Sequence, residues 1–313
     1  MKSSKVNTPN QAVLSNNKSL GKRIYKYRWF YIMFLPVFIM FIIFNYIPMI
    51  GIAYSFFEYT PFKDPTFIGL ENFQTLFSSK RFWLSFRNTI TISLLNLILS
   101  MIFSVGLAIM LDDLIGKRFK KISQTILYIP HFLSWVVVAS LFTMFLSPQG
   151  GVVNNIIEIF GGEPIYFLAD EKWWTPVFLL INRWKETGWS TIIFIAALSG
   201  VDQEMYEAAK IDGATRIQRI RNITLPAIKG TILVVFILNL AKILNIFEPV
   251  LVLYNSQVYN VADVISTWVY RAGLEGGDYG LSTAAGLFKS VISVTLVYIT
   301  NIWSKKVNGE GVL

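Results

Sequence analysis

Residues 200–228 form a polar stretch between two strongly apolar ones, and we call this stretch the polar elbow. Among its good helix formers, the Ala208-Ala209 pair offers a small surface that another backbone can approach closely. Asp212 carries a carboxylate suited to accept hydrogen bonds from the free amides that begin a second helix. Gly213 permits the dihedral angles of a sharp bend. These residue types predict two short helices joined by a turn.

The second helix of the polar elbow is predicted to be amphipathic. Isoleucines recur at three-residue spacing, with two arginines displaced from them: Ile217, Ile220, Ile223, Arg216 and Arg219. Pro226, which follows Leu225, is expected to end this helix and to begin the next apolar segment. The residues alone leave two interpretations open. The stretch is either an interfacial helix that packs on lipid headgroups or a docking surface for a cytoplasmic protein.

Polar side chains also fall inside otherwise apolar segments, where they are costly and mark a solute pathway or a pair. The candidate pathway residues are Arg183, Trp184, Asn239, Lys242, Asn245, Glu248 and Tyr270. The four from 239 to 248 recur at three-residue spacing, which predicts one helix face. Two alternatives stay open. Arg183 lies above the bilayer if its span begins near Thr187, and Lys242 and Glu248 pair with another membrane subunit rather than with solute.

Several kinds of chemistry are excluded by composition. The chain has no cysteine, which excludes disulfides and thiolate metal sites, and its single histidine, His131, leaves little scope for histidine catalysis. We expect His131, after Pro130, to pack at a kink. The phosphate-loop pattern G-x-x-x-x-G-K-[ST] is absent, because Gly21-Lys22 and Gly116-Lys117 both lack the earlier glycine. The chain is therefore predicted to hydrolyse no ATP alone and to be no enzyme, with no metal site.

The elements that position these residues are predicted to be membrane helices. Of the 313 residues, 54% are hydrophobic and 15% are charged, which is typical of membrane proteins. Apolar runs long enough to cross the hydrocarbon recur along the chain. They predict six spans, at about 30–57, 88–111, 122–146, 174–199, 229–254 and 282–303. The first run is too long for a cleaved signal peptide, and we expect Pro36 and Pro48 to interrupt it.

The distribution of charge predicts the orientation of these spans. Basic residues precede the first apolar run: Lys2, Lys5, Lys18, Lys22, Arg23, Lys26 and Arg28. Such a flank marks the cytoplasmic side, and the loops 112–121 and 200–228 are also basic. We therefore expect a basic tail (1–29), a membrane domain (30–303) and a tail (304–313), with both termini cytoplasmic. The net charge of +9 lies in these flanks, so lipid rather than nucleic acid is the expected partner.

The polar elbow resembles a known signature. Glu207-Ala208-Ala209, with Gly213 six positions after the glutamate and then Ile223-x-Leu225-Pro226, is similar to the EAA motif of permease subunits of binding-protein-dependent ABC importers. Further stretches resemble the sugar-permease branch, most of all its polysaccharide-type, LplB-like members: Tyr46-Ile-Pro48-Met, Gly69-Leu-Glu-Asn72-Phe73, Arg87-Asn88-Thr89, Phe247-Glu248 and Tyr270-Arg271-x-Gly273. The resemblance extends over nearly the whole chain from about residue 30.

The resemblance implies an all-α membrane protein of the type I ABC importer permease fold, with six transmembrane helices and an amphipathic cytoplasmic coupling helix. The residues that would couple to the ATPase are Glu207, Ala208, Ala209, Asp212, Gly213, Arg216, Arg219, Leu225 and Pro226. The implied partners are a second homologous permease subunit, two ATP-binding subunits and an extracytoplasmic solute-binding protein, in a bacterial plasma membrane. ATP and Mg would bind to the ATPase subunits, with no cofactor in this chain.

The expected function is ATP-driven import of a carbohydrate, an oligosaccharide by its branch of the family. Aromatic rings suited to sugar faces are Trp135, Trp184, Tyr254 and Tyr270, although interfacial girdles explain tryptophans equally well. The first alternative is an ion-coupled secondary transporter of a small polar solute, which would work without an ATPase. The second is a membrane scaffold or receptor that transports nothing.

Overall fold

The computed structural model describes residues 20–308, which fall into two units, 1–52 and 53–313. Most of the predicted basic tail and the end of the C-terminal tail lie outside the described residues. The first unit begins with α1 (Leu20–Lys26) and α2 (Arg28–Phe41). The chain then stays helical through a π-helical turn (Ile42–Tyr46) and a 3-10 segment (Ile47–Phe56).

The expected interruption at Pro36 and Pro48 is wrong. Pro36 lies inside α2, and helical geometry continues from Arg28 to Phe56. The π-helical turn directly before Pro48 shifts hydrogen bonding from four to five residues, as in the bond from Ile47 N to Ile42 O. Proline has no backbone N–H to donate, and the shifted hydrogen bonding accommodates this missing bond within a continuous helix.

The second unit is mostly helical, with one short antiparallel pair of strands, β1 (Phe57–Glu58) and β2 (Thr66–Phe67). Its helices are α3 (Glu71–Ser78), α4 (Lys80–Asp112), α5 (Lys117–Tyr128), α6 (Trp135–Leu146), α7 (Val152–Ile159), α8 (Glu171–Ser199), α9 (Gln203–Ile211), α10 (Arg216–Arg219), α11 (Leu225–Leu240), α12 (Glu248–Leu253), α13 (Tyr259–Ala262), α14 (Ile265–Tyr270) and α15 (Tyr279–Asn308).

Four helical stretches among the described residues are long and apolar enough to cross a membrane: Arg28–Phe56, Lys80–Asp112, Arg216–Leu240 and Tyr279–Lys306. A fifth is counted if Lys117–Phe132 and Trp135–Leu146 form one broken span. Helix α8 has 29 residues, but any 18-residue stretch of it contains Arg183, Lys185 and Glu186. The protein is therefore a multi-pass membrane protein, and α8 is a further long helix with a polar middle.

Two of the predicted spans need correction. The third, at 122–146, is broken much more sharply than the kink expected after Pro130, because its two helices meet at an angle of 99°. The fifth was expected at 229–254, whereas its helix runs from Arg216 to Leu240 and residues 241–247 are not helical. Hydropathy places a span where apolar residues are dense. It registers neither a bend inside an apolar run nor a helix that continues into polar sequence.

The core of the second unit lies where α4 packs along α8. Trp174 and Phe178 of α8 are fully buried, and their rings stack at 4.9 Å. The indole of Trp174 donates a hydrogen bond of 3.1 Å to the carbonyl oxygen of Leu253. Because lipid is as apolar as these side chains, close packing and hydrogen bonds stabilise such contacts more than hydrophobic transfer does. The packing holds α8 in place for the polar residues that follow Phe178.

A buried hydrogen-bond network, which we call the Asp263 network, joins residues 260–271 to α4. The carboxylate of Asp263 accepts from Ser85 Oγ at 2.9 Å and from Thr267 Oγ1 at 2.8 Å, and it pairs with Arg271 at 2.5 Å. Asn88 Nδ2 donates to the Asp263 carbonyl at 3.1 Å. Two stretches singled out in the sequence, Arg87-Asn88-Thr89 and Tyr270-Arg271-x-Gly273, thus meet in one structural network.

Candidate functional site

The polar elbow has the two predicted helices, α9 and α10. Helix α9 ends in the hydrogen-bond pattern of a Schellman turn, in which Ala214 N donates to Ala209 O at 2.9 Å and Gly213 N to Lys210 O at 3.1 Å. Gly213 has a φ of 75°, a conformation that side-chain-bearing residues rarely adopt. The predicted bend at this glycine is therefore confirmed.

The expected capping role of Asp212 is wrong. Asp212 follows the last residue of α9, and Thr215 caps α10 instead. Thr215 N donates to Gln218 Oε1 at 2.7 Å, and Thr215 Oγ1 accepts from Gln218 N at 3.4 Å. The turn itself occupies Gly213 and Ala214, so the second helix begins too late for Asp212 to cap it.

The expectation that Pro226 ends the second helix is also wrong. A π-helical turn (Ile220–Thr224) joins α10 to α11, and the stretch Arg216–Leu240 is continuous. As at Pro48, the five-residue hydrogen bonding precedes the proline, here as the bond from Leu225 N to Ile220 O. The elbow's second helix and the following span are therefore one element.

One contact closes the elbow on itself, and another joins it to the end of α4. Tyr206 of α9 hydrogen-bonds through its hydroxyl to Thr224 Oγ1 at 2.9 Å, and Thr224 is buried. Arg216 Nε and Nη2 each lie 2.7 Å from Asp113 Oδ2, at the end of α4. Between these contacts lies a cleft of about 630 Å³ whose lining includes Asp112, Gln203 and Arg219.

The outer surface of the elbow is unusually apolar for a polar stretch. Neither α9 nor α10 has a buried residue, and Ile211 and Ile217 are 87% and 76% exposed. Glu207 and Ala208 are exposed and Ala209 is half-buried. Large apolar side chains held out by a rigid turn mark an interaction surface.

A second feature is a polar cavity of about 590 Å³ between α4, α8 and the end of α11. We call it the polar cavity. Its polar and charged lining residues are Ser93, Asn96, Ser100, Asn182, Arg183, Glu186, Ser190, Asn239, Lys242, Asn245 and Glu248. Five of the seven predicted pathway residues are among them. Their role stays a prediction, but the structure brings them together.

The predicted helix face from 239 to 248 is wrong, although its residues share the polar cavity. Asn239 lies in α11, Lys242 and Asn245 lie in the irregular segment 241–247, and Glu248 begins α12. The cavity thus gathers these side chains through a broken backbone. Irregular backbone of this kind is tolerated at membrane depth where it lines a cavity or packs inside protein.

Two predicted pathway residues, Trp184 and Tyr270, and three of the four candidate rings do not line the polar cavity. Trp184 is 42% exposed and packs against Phe142, and Tyr270 packs against Phe247 at 5.7 Å. Tyr254 packs against Tyr259. Of the four candidate rings, Trp135 is the one that lines the polar cavity.

Arg183 is buried in the middle of α8, which begins at Glu171 rather than near Thr187. Its Nη2 donates to Asn96 Oδ1 and to Asn182 Oδ1, both at 2.6 Å. Its Nε and Nη1 have no hydrogen-bond partner among residues 20–308. Lys289, a further cation in a membrane-length helix, donates to Ser266 Oγ at 3.0 Å.

A compact cluster closes the polar cavity beside the bend of the third span. Glu186 lies 2.9 Å from His131 Nδ1 and 3.3 Å from Lys185 Nζ, and Lys185 also donates to His131 O at 2.8 Å. The His131 ring stacks on Trp189 at 4.6 Å. The predicted packing of His131 at a kink is confirmed. In the part of the chain described, no group of three residues suited to a metal ion is present.

The sequence reasoning missed the α4 side of the polar cavity. Ser93, Asn96 and Ser100 recur at three- and four-residue spacing, which places them on one helix face. This periodicity was the available signal. It was weak because each residue sits among leucines and isoleucines that dominate the local hydropathy.

Membrane-length helices around a polar cavity, with a rigid apolar-tipped elbow at one end, define a membrane transport subunit. The chain belongs to the family described as binding-protein-dependent transport system inner membrane component, whose model matches residues 100–309. It has the type I ABC importer permease fold.

Two relatives from Bacillus subtilis (strain 168) align over most of the chain. The polygalacturonan/rhamnogalacturonan transport system permease protein YteP is 42% identical, with 94% of this chain and 93% of that protein covered. Protein LplB is 41% identical, with 91% of each covered.

A solved structure also matches closely. It is the crystal structure of a bacterial ABC transporter involved in the import of the acidic polysaccharide alginate. The matched chain has a TM-score of 0.87 and is 41% identical, with 93% of this chain and all of that chain covered. A second crystal structure, of the alginate transporter with an alginate pentasaccharide-bound periplasmic protein, has a TM-score of 0.86 at 40% identity.

Proposed function

We propose that this chain is a permease subunit of an ATP-driven importer that moves an oligosaccharide from an extracellular binding protein into the cytoplasm. One observation carries the proposal: the polar elbow holds Ile211 and Ile217 exposed on either side of the hydrogen-bonded turn at Gly213. A transport subunit of this family needs such a surface to bind the protein that supplies its energy.

The polar elbow is the proposed contact with an ATPase subunit. Its small residues, Ala208 and Ala209, allow close approach, while Glu207 and Arg219 supply charges at the rim. ATP and Mg bind to two partner ATPase subunits, since this chain has no phosphate loop. A second homologous permease completes the pathway, and the elbow and both termini face the cytoplasm of a bacterium.

The polar cavity is the proposed place of cargo. It combines amide groups, hydroxyls and charges with the aromatic rings of Trp135 and Phe247, which suits the hydroxyls and flat ring faces of a sugar. The relatives named for polygalacturonan and alginate support a carbohydrate cargo. The ion-coupled alternative would need no ATPase, and family membership gives it no support.

Reconstitution tests the proposal. The chain is purified gently from its native membrane, the bound subunits are identified, and ATP hydrolysis is measured in proteoliposomes with and without the loaded binding protein. We expect an ATPase to co-purify and its activity to rise with the loaded binding protein. Uptake of solute by this chain alone, with no ATPase present, would refute the proposal.

A further inference from the structure

The charges that line the polar cavity do not cancel. Four ionisable residues line it, namely Arg183, Glu186, Lys242 and Glu248. Glu186 is already matched, because Lys185 lies 3.3 Å from one of its oxygens and His131 contacts the other. Lys185 is buried and does not line the cavity. Two cations therefore remain against one carboxylate.

The remaining carboxylate is Glu248, the first residue of α12, and it offsets one of the two cations. Lys242 is exposed to the cavity and forms no ion pair within residues 20–308. The cavity thus has a surplus of positive charge at Arg183 and Lys242.

Arg183 is the more demanding of the two cations. It is 8% exposed, and a guanidinium stays charged at any ordinary pH. It forms no ion pair with the described residues, and two amide oxygens share a single nitrogen, Nη2. A carboxylate can approach a guanidinium along two edges, Nε with Nη2 and Nη1 with Nη2. On each of these edges, one nitrogen (Nε or Nη1) has no hydrogen-bond partner among the described residues. A buried charge held in this way is costly unless an anion completes it.

We propose that the cargo is an anionic saccharide whose carboxylates are recognised by Arg183, with Lys242 as a second positive contact. A carboxylate accepts from one edge of the guanidinium and displaces Asn96 or Asn182 from Nη2. The displaced amide is free to bond a sugar hydroxyl. This inference rests on the proposed function and specifies the chemistry of its cargo.

The test compares charged and neutral cargo of the same length. The complete transporter, with its binding protein, is reconstituted in proteoliposomes. Uptake is measured for tetrasaccharides of galacturonate, mannuronate and guluronate, and for the same tetrasaccharides as methyl esters. We expect the wild type to import at least one uronate about tenfold or more over its ester, as a charge-assisted hydrogen bond provides.

Variants assign the preference to its residues. Arg183→Gln is expected to lower the uronate-to-ester ratio by about tenfold, Arg183→Lys by less, and Lys242→Gln by a smaller factor in the same direction. Lys242 is exposed, so its variant tests the proposal even if Arg183→Gln does not fold. Lys289→Gln removes a cation from a membrane-length helix outside the polar cavity and is expected to leave the ratio unchanged.

Each other outcome has a definite meaning. Equal or preferred import of the esters overturns the anionic cargo while leaving the proposed function intact. An unchanged ratio in both Arg183→Gln and Lys242→Gln, or equal losses for both cargoes, overturns the assignment to these residues. Failure of every saccharide to be imported or to stimulate ATP hydrolysis refutes the carbohydrate cargo itself.

Discussion

Arg216 and Asp113 lie 103 residues apart in the chain, yet two nitrogens of the arginine contact one carboxylate oxygen, each at 2.7 Å. The pair joins the polar elbow to the end of α4. Both side chains are about half exposed or more, at 60% and 49%. An exposed pair stabilises a protein by about 1 kcal/mol at most. The pair therefore serves to position the elbow and contributes little to the stability of the fold.

Asp113→Asn is accordingly expected to change the free energy of unfolding by less than about 1 kcal/mol. It is expected to lower cargo-stimulated ATP hydrolysis several-fold, because the elbow loses its ion pair with the end of α4. The matched control is Asp112→Asn, which removes the neighbouring carboxylate and its separate 2.8 Å pair with Lys120. The swap of Asp113→Arg with Arg216→Asp should restore stimulation. Equal effects of the two asparagine variants would contradict this role.

Gly213→Ala tests the turn of the elbow. At a φ of 75° a side chain costs about 1–2 kcal/mol, so the turn should open and stimulated ATP hydrolysis should fall. Gly230→Ala is the control, because Gly230 lies in α11 with open space around it. Pull-down of the ATPase subunits measures the docking directly. Normal docking and stimulation in Gly213→Ala would show that the turn is not needed.

Gly188→Ala tests the junction between α8 and the bent third span. A methyl group there collides with the carbonyl oxygen of Leu127, which is backbone and has little freedom to move. Overpacking of this kind costs about 1–3 kcal/mol. The midpoint of thermal unfolding in detergent should fall, whereas Gly286→Ala, with nothing near it, should leave it unchanged. An unaltered midpoint in Gly188→Ala would mean that the junction is loosely packed.

Asp263→Asn tests the Asp263 network. Asp263 is 4% exposed and pairs with Arg271, so its loss strands a half-buried cation. Breaking a buried pair in this way costs about 3–5 kcal/mol. Glu58→Gln, which breaks the exposed pair with Lys63 at 3.5 Å, is expected to cost almost nothing. Comparable shifts of the unfolding midpoint in both variants would contradict the network's importance.

Arg271 itself is not expected to lose its charge as the pH changes within the neutral range. Burial alone would lower the pKa of Arg271, but hydrogen bonding to Asp263 and its negative charge outweigh burial and raise the pKa above its ordinary value. A raised pKa of a base contributes stability that is fully present below the unfolded value and lost only above the folded one. The Arg271 contribution should therefore be constant through the neutral range. This is checked by unfolding midpoints measured across that range.

Local signals made the polar elbow predictable. The helix formers of α9 and the glycine at 213 act within a few residues, so their outcome depends little on the rest of the chain. Pro226 was misjudged because a proline is usually read as a helix breaker, while the π-helical turn that accommodates it has no strong sequence signal. Asp212 lies three residues before the actual cap, Thr215, because the turn at Gly213 and Ala214 comes between them.

The polar cavity was only half predictable because its partners come from distant segments. Glu186 and Lys185 are recognisable in the sequence as charges in an apolar helix. Their contact with His131 is not, because His131 lies more than fifty residues away in the chain. The bend of the third span lies at the same point, where Pro130 precedes His131 and Ser134 caps α6. The break between Leu240 and Glu248 likewise replaced a helix face that spacing alone favoured.

Because the helical stretch Arg216–Leu240 is continuous, it connects the polar elbow to the polar cavity as a single element. Its 25 residues correspond to a rod of about 37 Å. One end lies in the polar elbow, and the other reaches Asn239 at the polar cavity. A tilt of about 5° at one end displaces the other by about 3 Å over that length. A displacement of the elbow therefore moves the cavity end of the same helical stretch, because no non-helical segment separates the two.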